Sequence, residues 1–252
     1  MMKRNELQNY LTALLDPDAI KDYCPNGLQI EGKNDIEHIV TGVTANQKLI
    51  NAAIERKANA ILVHHGYFWK SEPYPIVGMR YQRISRLIKH DINLFAYHLP
   101  LDIHPTLGNN VMLAKLLGLK VLSEFNTNTS PNYGILCQPQ SSLSIDQLQA
   151  HIQSALKRTP LVINPTNKPI SKIAICTGGA QDFIEHAYEA GAEVYISGEA
   201  SERTTHFAEE LGISYIAAGH HASERYGIQA LGEHLAQHFN LQHTFIDIDN
   251  PV

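Results

Sequence analysis

The chain has 252 residues, 44% of them hydrophobic and 18% charged, with a formal charge of −5 and a pI of about 6.3. That is ordinary for a globular protein, and it is enough chain to bury a core in one large domain or two small ones. The acidic balance provides no global cationic field of the kind non-specific nucleic-acid binding needs, although a local basic patch is compatible with it.

Cys24, Cys137 and Cys176 are far apart and odd in number, so no disulfide framework is expected. Glu6 and Asn9 interrupt the N-terminal segment before an apolar signal region forms. No stretch approaches the ~20 apolar residues of a membrane span. These features predict a soluble, cytoplasmic protein with no membrane partner.

Residues 5–15 carry apolar positions at helical spacing, and a loop with turn chemistry at Pro25-Asn26-Gly27 follows. From residue 37, EHIVTGVT reads as a strand and NQKLINAAIERKA as a helix. ANAILVHH is a continuous apolar run, the pattern of a buried parallel strand. An aromatic and proline-rich loop precedes a helix (RYQRISRLIKH) and a further buried strand (INLFAYH). LPLDIHPTLG reads as a loop and NNVMLAKLLGL as a helix.

Residues 121–171 lack this regularity and read as a linking segment with a small β/α excursion, its helix opened by a Ser144/Gln147 capping box. Alternation then resumes with KIAICTGG, QDFIEHAYEAGA, EVYISGE, SERTTHFAEELG, ISYIAAGHH, SERYGIQALGEHLAQHF and LQHTFIDID. The expected fold is α/β, with parallel-rich sheets and helices on both faces. Residues 1–120 form a first half and 172–252 a second. The halves echo each other: aligned on Ala53 and Ala187, the turn and buried strand coincide, and His65 falls opposite Glu199.

The chain carries 14 histidines, unevenly distributed. In parallel α/β folds ligands bind beyond the carboxyl ends of the strands. His64 and His65 end one strand, His98 ends another with Asp102 four residues on, and His220-His221 end a third with Glu224 four residues on. Imidazoles and carboxylates together suit Zn, Mn, Fe, Ni or Co. Three histidines and two carboxylates exceed the needs of one tetrahedral ion and suit two ions sharing a water. His64 and His65 meet at one ion if the chain bends at Gly66; otherwise they serve two. His98, His104 and His221 stand at the same strand ends as further candidates, which the family resemblance given below leaves as neighbours.

His98 is a candidate ligand, ligand partner or proton shuttle. Glu199 is a candidate general base or a helix cap. The Cys176–Gly179 turn could hold an anion on its N–H groups, though no P-loop lysine follows. Tyr67-Phe68-Trp69 either stacks on a planar substrate or is buried. The remaining histidines (His38, His90, His151, His186, His206, His234, His238 and His243) are expected to be ordinary core and surface residues.

ILVHHGYFWK, HLPLDIHP, CTGGAQDF, ISGEASE and AAGHHASERYGI, with PNGLQIEG near the start, resemble motifs of the GTP cyclohydrolase I type 2 homologue family, also called the Nif-three-like family. The resemblance covers essentially the whole chain and is to the short bacterial form. One departure is Ala180, where similar members often carry a third glycine.

The resemblance implies two interlinked α/β domains and two divalent metals on His64, His65, Asp102, His220 and Glu224. It also implies a toroidal homohexamer with the metals facing an internal cavity. It points to a metal-dependent hydrolase, GTP cyclohydrolase-like or phosphoesterase-like, acting on a nucleotide or related small molecule. The alternative it leaves is a non-catalytic ring that binds a protein or DNA partner, with structural metals.

Overall fold

A computed structural model describes all residues, 1–252. In chain order it begins with β1 (Met2–Lys3), α1 (Arg4–Leu15), β2 (Gly27–Ile30), β3 (Asp35–Ile36) and β4 (His38–Thr44). Next come α2 (Gln47–Glu55), β5 (Ala60–His65), α3 (Gly78–Lys89), β6 (Asn93–Ala96), α4 (Leu99–Asp102) and α5 (Asn109–Leu116). β7 (Lys120–Phe125), β8 (Gly134–Gln138), α6 (Ile145–Leu156) and β9 (Leu161–Ile163) follow. The chain ends with β10 (Ile173–Ile175), α7 (Ile184–Glu189), β11 (Val194–Ser197), α8 (Glu202–Leu211), β12 (Ser214–Ala217), α9 (His220–Ser223), α10 (Arg225–Phe239) and β13 (Gln242–Phe245).

The chain forms two compact units, one from residues 1–101 and 227–249, the other from residues 102–226 and 250–252. The first holds a five-stranded sheet in the order β13-β4-β5-β6-β2. Its first four strands are parallel and β2 is antiparallel to β6. Both faces are covered. Val40, Ile61, Val63 and Leu94 pack with Leu49 and Ile50 of α2 and Leu87 of α3. The alternate residues Ile39, Leu62 and Phe95 are equally buried. Strands buried on both faces read as unbroken apolar runs, which is why ANAILVHH lacks alternation.

The second unit holds a six-stranded sheet in the order β7-β8-β10-β11-β12-β9. β10, β11 and β12 are parallel, with antiparallel strands flanking them. Ile175, Val194, Ile196 and Ile216 face α6 through Leu148 and Ile152. Ala174, Tyr195 and Tyr215 face the opposite layer, with Ile184 and Ala187 of α7 and Ala208 of α8. The parallel triplets β4-β5-β6 and β10-β11-β12 have the same connectivity, the pattern the internal echo anticipates.

The compact units divide the chain differently from the expected halves. The last strand returns to the first sheet: β13 pairs parallel with β4. Two histidines fasten it there, the buried His38 by Nε2 to Thr244 Oγ1 at 3.0 Å and the half-buried His243 by Nε2 to Thr41 Oγ1 at 2.8 Å. Residues 121–171 are not a linker, because β7, β8 and β9 complete the second sheet at both edges and α6 covers one face. Asp102 likewise belongs to the second unit. The capping box forms as expected, with Ser144 Oγ accepting from Gln147 N at 3.2 Å and Gln147 Oε1 accepting from Ser144 N at 2.9 Å.

Candidate metal centre

In the first unit, β5 ends on His64 and His65, and β6 runs out towards His98. Strict strand alternation would send the first two rings to opposite faces. Their ring centroids nevertheless lie 4.5 Å apart, and His98 is 5.1 Å from His64 and 5.7 Å from His65. Each of the three offers a ring nitrogen, and these nitrogens lie within 4.8 Å of one another. Trp69 meets His98 edge-on at 4.9 Å, while Tyr67 is buried with its hydroxyl donating to Ala45 O at 2.6 Å.

The δ-nitrogen of each ring is hydrogen-bonded to a residue outside the trio. His64 Nδ1 donates to Tyr97 O at 3.0 Å, and His65 Nδ1 is bonded to Thr44 Oγ1 at 3.2 Å. His98 Nδ1 donates to Asp22 Oδ1 at 2.8 Å. A carbonyl or carboxylate only accepts, so Nδ1 carries the proton on His64 and His98, and their lone pairs sit on Nε2.

Asp22 is nearly buried. Burial alone would raise its pKa, but the His98 hydrogen bond and charge, with Asn26 and the Tyr23 amide, outweigh it and hold the carboxyl at about 2. Asn26 also accepts from His98 N at 2.7 Å, and Gln29 Oε1 accepts from Tyr67 N at 2.7 Å. The Pro25-Asn26-Gly27 loop thus clamps the backbone beside the histidines.

In the second unit, Asp102, His220 and Glu224 come together. Asp102 ends α4, nearly buried, and its Oδ1 accepts from Asn109 Nδ2 at 2.8 Å. It offers an oxygen within 4.8 Å of one from Glu224, itself 2% exposed. α9 starts at His220, so His220 and Glu224 lie one turn apart, with Nε2 3.2 Å from Oε2.

Glu199, at the end of β11, accepts from His220 Nδ1 at 2.6 Å. It therefore orients an imidazole rather than capping α8, whose N-cap is Ser201. Burial disfavours the His220 cation, yet Glu224 and Glu199 overcome this and raise its pKa to about 9. With carboxylates on both nitrogens, this corner of the site demands positive charge.

The Cys176–Gly179 turn is built otherwise than for an anion. Thr177 N donates to Asn110 Oδ1 at 2.9 Å and Gly178 N to Ser223 Oγ at 3.2 Å, so both N–H groups are already used. Gly178 has φ +72°, and a Cβ there would strike the Glu224 carboxylate. The turn is a seat for Glu224. Among the other neighbours, His104 Nδ1 accepts from Leu107 N at 3.0 Å within its own turn, and His221 is buried with its amide on Val252 O at 3.0 Å.

The chemistry of this donor set, imidazole nitrogens and buried carboxylates, fits divalent transition metals. The sequence reading missed Asp22, Asn26, Gln29 and Thr44. The Pro-Asn-Gly turn marked the loop, but Asp22 and His98 are 76 positions apart and no spacing rule links them.

Residues 2–251 match the Duf34/NIF3 (NGG1p interacting factor 3) family. The chain belongs to that family. It is 54% identical over 255 residues to a Vibrio cholerae protein named GTP cyclohydrolase 1 type 2 homolog, covering 100% of both chains. It is 47% identical over 252 residues to the Escherichia coli protein of the same name, again with 100% of each covered. Among solved structures, protein ybgI, described as of unknown function, superposes with a TM-score of 0.96 at 45% identity over 100% of both chains. HcgD from Methanocaldococcus jannaschii, in its reduced form, shares the fold with a TM-score of 0.84 at 24% identity, covering 99% of this chain and 98% of its own. No helix is long and apolar enough to cross a membrane.

The seat at Gly178 makes a testable demand. Gly178→Ala should destabilise the protein by about 1–3 kcal/mol in chemical denaturation, because left-handed backbone and the Glu224 collision add together. Gly118→Ala has a similar φ of +67° but meets open space, and should cost only the backbone part. Equal costs for the two variants would mean that Glu224 does not depend on this seat.

Proposed function

We propose that His64, His65, Asp102, His220 and Glu224 hold two divalent metal ions per chain, and that the protein is a metal-dependent hydrolase of a nucleotide or related small molecule. The observation that carries this reading is the histidine tautomer pattern. The δ-nitrogens of His64, His65 and His220 are bound by outer partners; in the first unit the rings of His64 and His65 gather, and in the second the ε-nitrogen of His220 stands 3.2 Å from the buried Glu224 carboxylate. Metal-ligating histidines are held in this way, because the second bond fixes both ring orientation and lone pair.

A bound divalent pair supplies Lewis acidity and lowers the pKa of a water to near neutrality. The chain's own part is to hold the ligands and to move protons. Glu199, 39% exposed at its side chain, reaches solvent while bonded to His220, which suits it to pass a proton outward. The nucleotide class follows from the name carried by relatives with 54% and 47% identity.

A second reading is a non-catalytic homohexameric ring, toroidal as the family resemblance implies, that binds a protein or DNA partner. The family's description as NGG1p interacting factor 3 favours a protein partner.

Elemental analysis and a turnover panel separate the readings. Freshly purified protein should carry about two ions per chain, falling sharply in His64→Ala and in Glu224→Ala. It should turn over GTP or another member of a nucleotide and phosphoester panel. Full metal content with no turnover across the panel would remove the hydrolase reading. Unchanged metal in either variant would remove that residue from the site.

A pH signature follows from His220. It is protonated below about 9 in the metal-free protein, and a metal ligand must be neutral. Metal binding at pH 7.5 should therefore release protons, seen by calorimetry as a binding enthalpy that varies with the ionisation enthalpy of the buffer. The release should fade as the pH rises through about 9. A buffer-independent enthalpy at pH 7.5 would show that His220 is not a ligand.

A further inference from the structure

His98 has the same construction as the proposed ligands, but the five-residue set leaves it out. Its ring nitrogen lies within 4.8 Å of those of His64 and His65. Its δ-nitrogen is held by a carboxylate, where His64 has a carbonyl and His65 a hydroxyl. A carboxylate is the strongest of these acceptors and raises the basicity of the opposite nitrogen most.

Asp22 is committed to this task. Oδ1 accepts from His98 Nδ1 at 2.8 Å and Tyr23 N at 2.6 Å, and Oδ2 accepts from Asn26 Nδ2 at 2.9 Å and Leu99 N at 3.0 Å. Four donors saturate the lone pairs of a carboxylate. Asp22 therefore has no capacity to bind a cation itself. Cys24, close by, is buried, and burial with the charges of Asp22 and Glu72 pushes its thiol up to about 12.

The ring is held at two points, Nδ1 on Asp22 and the Trp69 edge at 4.9 Å, and the backbone beneath it by the His98 amide on Asn26 Oδ1. A histidine serving only as core packing does not need a saturated, buried carboxylate behind it.

We infer that His98 is a third imidazole ligand beside His64 and His65, and that Asp22 is the positioning residue that fixes its Nε2 towards them. This inference rests on the metal reading above. It makes His64, His65 and His98 a three-histidine group within the first unit, and it gives the proline-asparagine-glycine loop a purpose, since that loop carries Asp22 and Asn26.

The test is a chelator competition with Zn²⁺ on the full chain, for wild type, His98→Gln, Asp22→Asn and His64→Ala, joined to X-ray absorption spectra of the zinc-loaded forms. Asp22→Asn should weaken zinc about 10–100-fold, the usual cost of losing such a partner, and His98→Gln at least about tenfold. Four imidazoles shared by two ions give about two per zinc in the wild-type spectrum, against about one and a half if His98 does not bind.

The imidazole scattering should fall in His98→Gln, a change that a merely structural role would not produce. If His98→Gln fails to fold, the wild-type spectrum and Asp22→Asn still decide. Zinc affinity within twofold of wild type in both variants, or an unchanged imidazole count in His98→Gln, overturns the inference. His64→Ala would still lose zinc in that case, leaving the five-ligand reading intact. Wild-type protein that binds no zinc overturns that reading itself.

Discussion

A histidine offers a cation one lone pair only while its other nitrogen holds the proton, so whatever binds that proton decides whether a metal site exists. His64, His98 and His220 are settled by partners that only accept, the Tyr97 carbonyl, Asp22 and Glu199, and the Thr44 hydroxyl holds the His65 ring. None of these partners belongs to the ligand set predicted from sequence. They come from β4, the segment after β6, the loop before β2 and the end of β11, so the tautomers depend on both sheets being correctly formed. The sheets in turn depend on apolar strands buried on two faces, each with helices supplying the cover.

Parallel strands concentrate this chemistry. Every strand in a parallel triplet ends on the same edge, and both triplets use that edge for histidines or carboxylates. The equivalence between His65 and Glu199 in the internal echo is informative. In one triplet the central strand ends on an imidazole proposed as a ligand, and in the other it is followed two residues on by a carboxylate that orients one. Two similar units thus divide the labour of ligand and partner differently.

The uneven distribution of histidines and the apolar runs before them made the strand ends legible in the sequence, because both signals are local. His64-His65 follow directly on ILV, and His220 stands one helical turn from Glu224. The Ser144 capping box was legible for the same reason. What stayed hidden depends on distant pairing. The return of β13 to β4 rests on His38 and His243, which read as ordinary histidines. Residues 121–171 look irregular because β7 and β9 are edge strands, exposed enough that their sequence carries little apolar signal. Asp22 was hidden because a saturated buried carboxylate looks, in sequence, like any aspartate in a polar loop. The Cys176–Gly179 turn was misread as a possible anion cradle, because its glycines permit a close approach that the Glu224 carboxylate takes.

Anomalous diffraction from crystals of the protein as purified, with data collected at the absorption edges of manganese, iron, cobalt, nickel and zinc, tests the metal centre most directly. The account predicts two anomalous peaks roughly 3.5–4 Å apart. Each should lie about 2.0–2.2 Å from histidine ε-nitrogens and carboxylate oxygens of the named set. Crystals with no anomalous peak at these residues, after growth with divalent metal and no chelator, would contradict it.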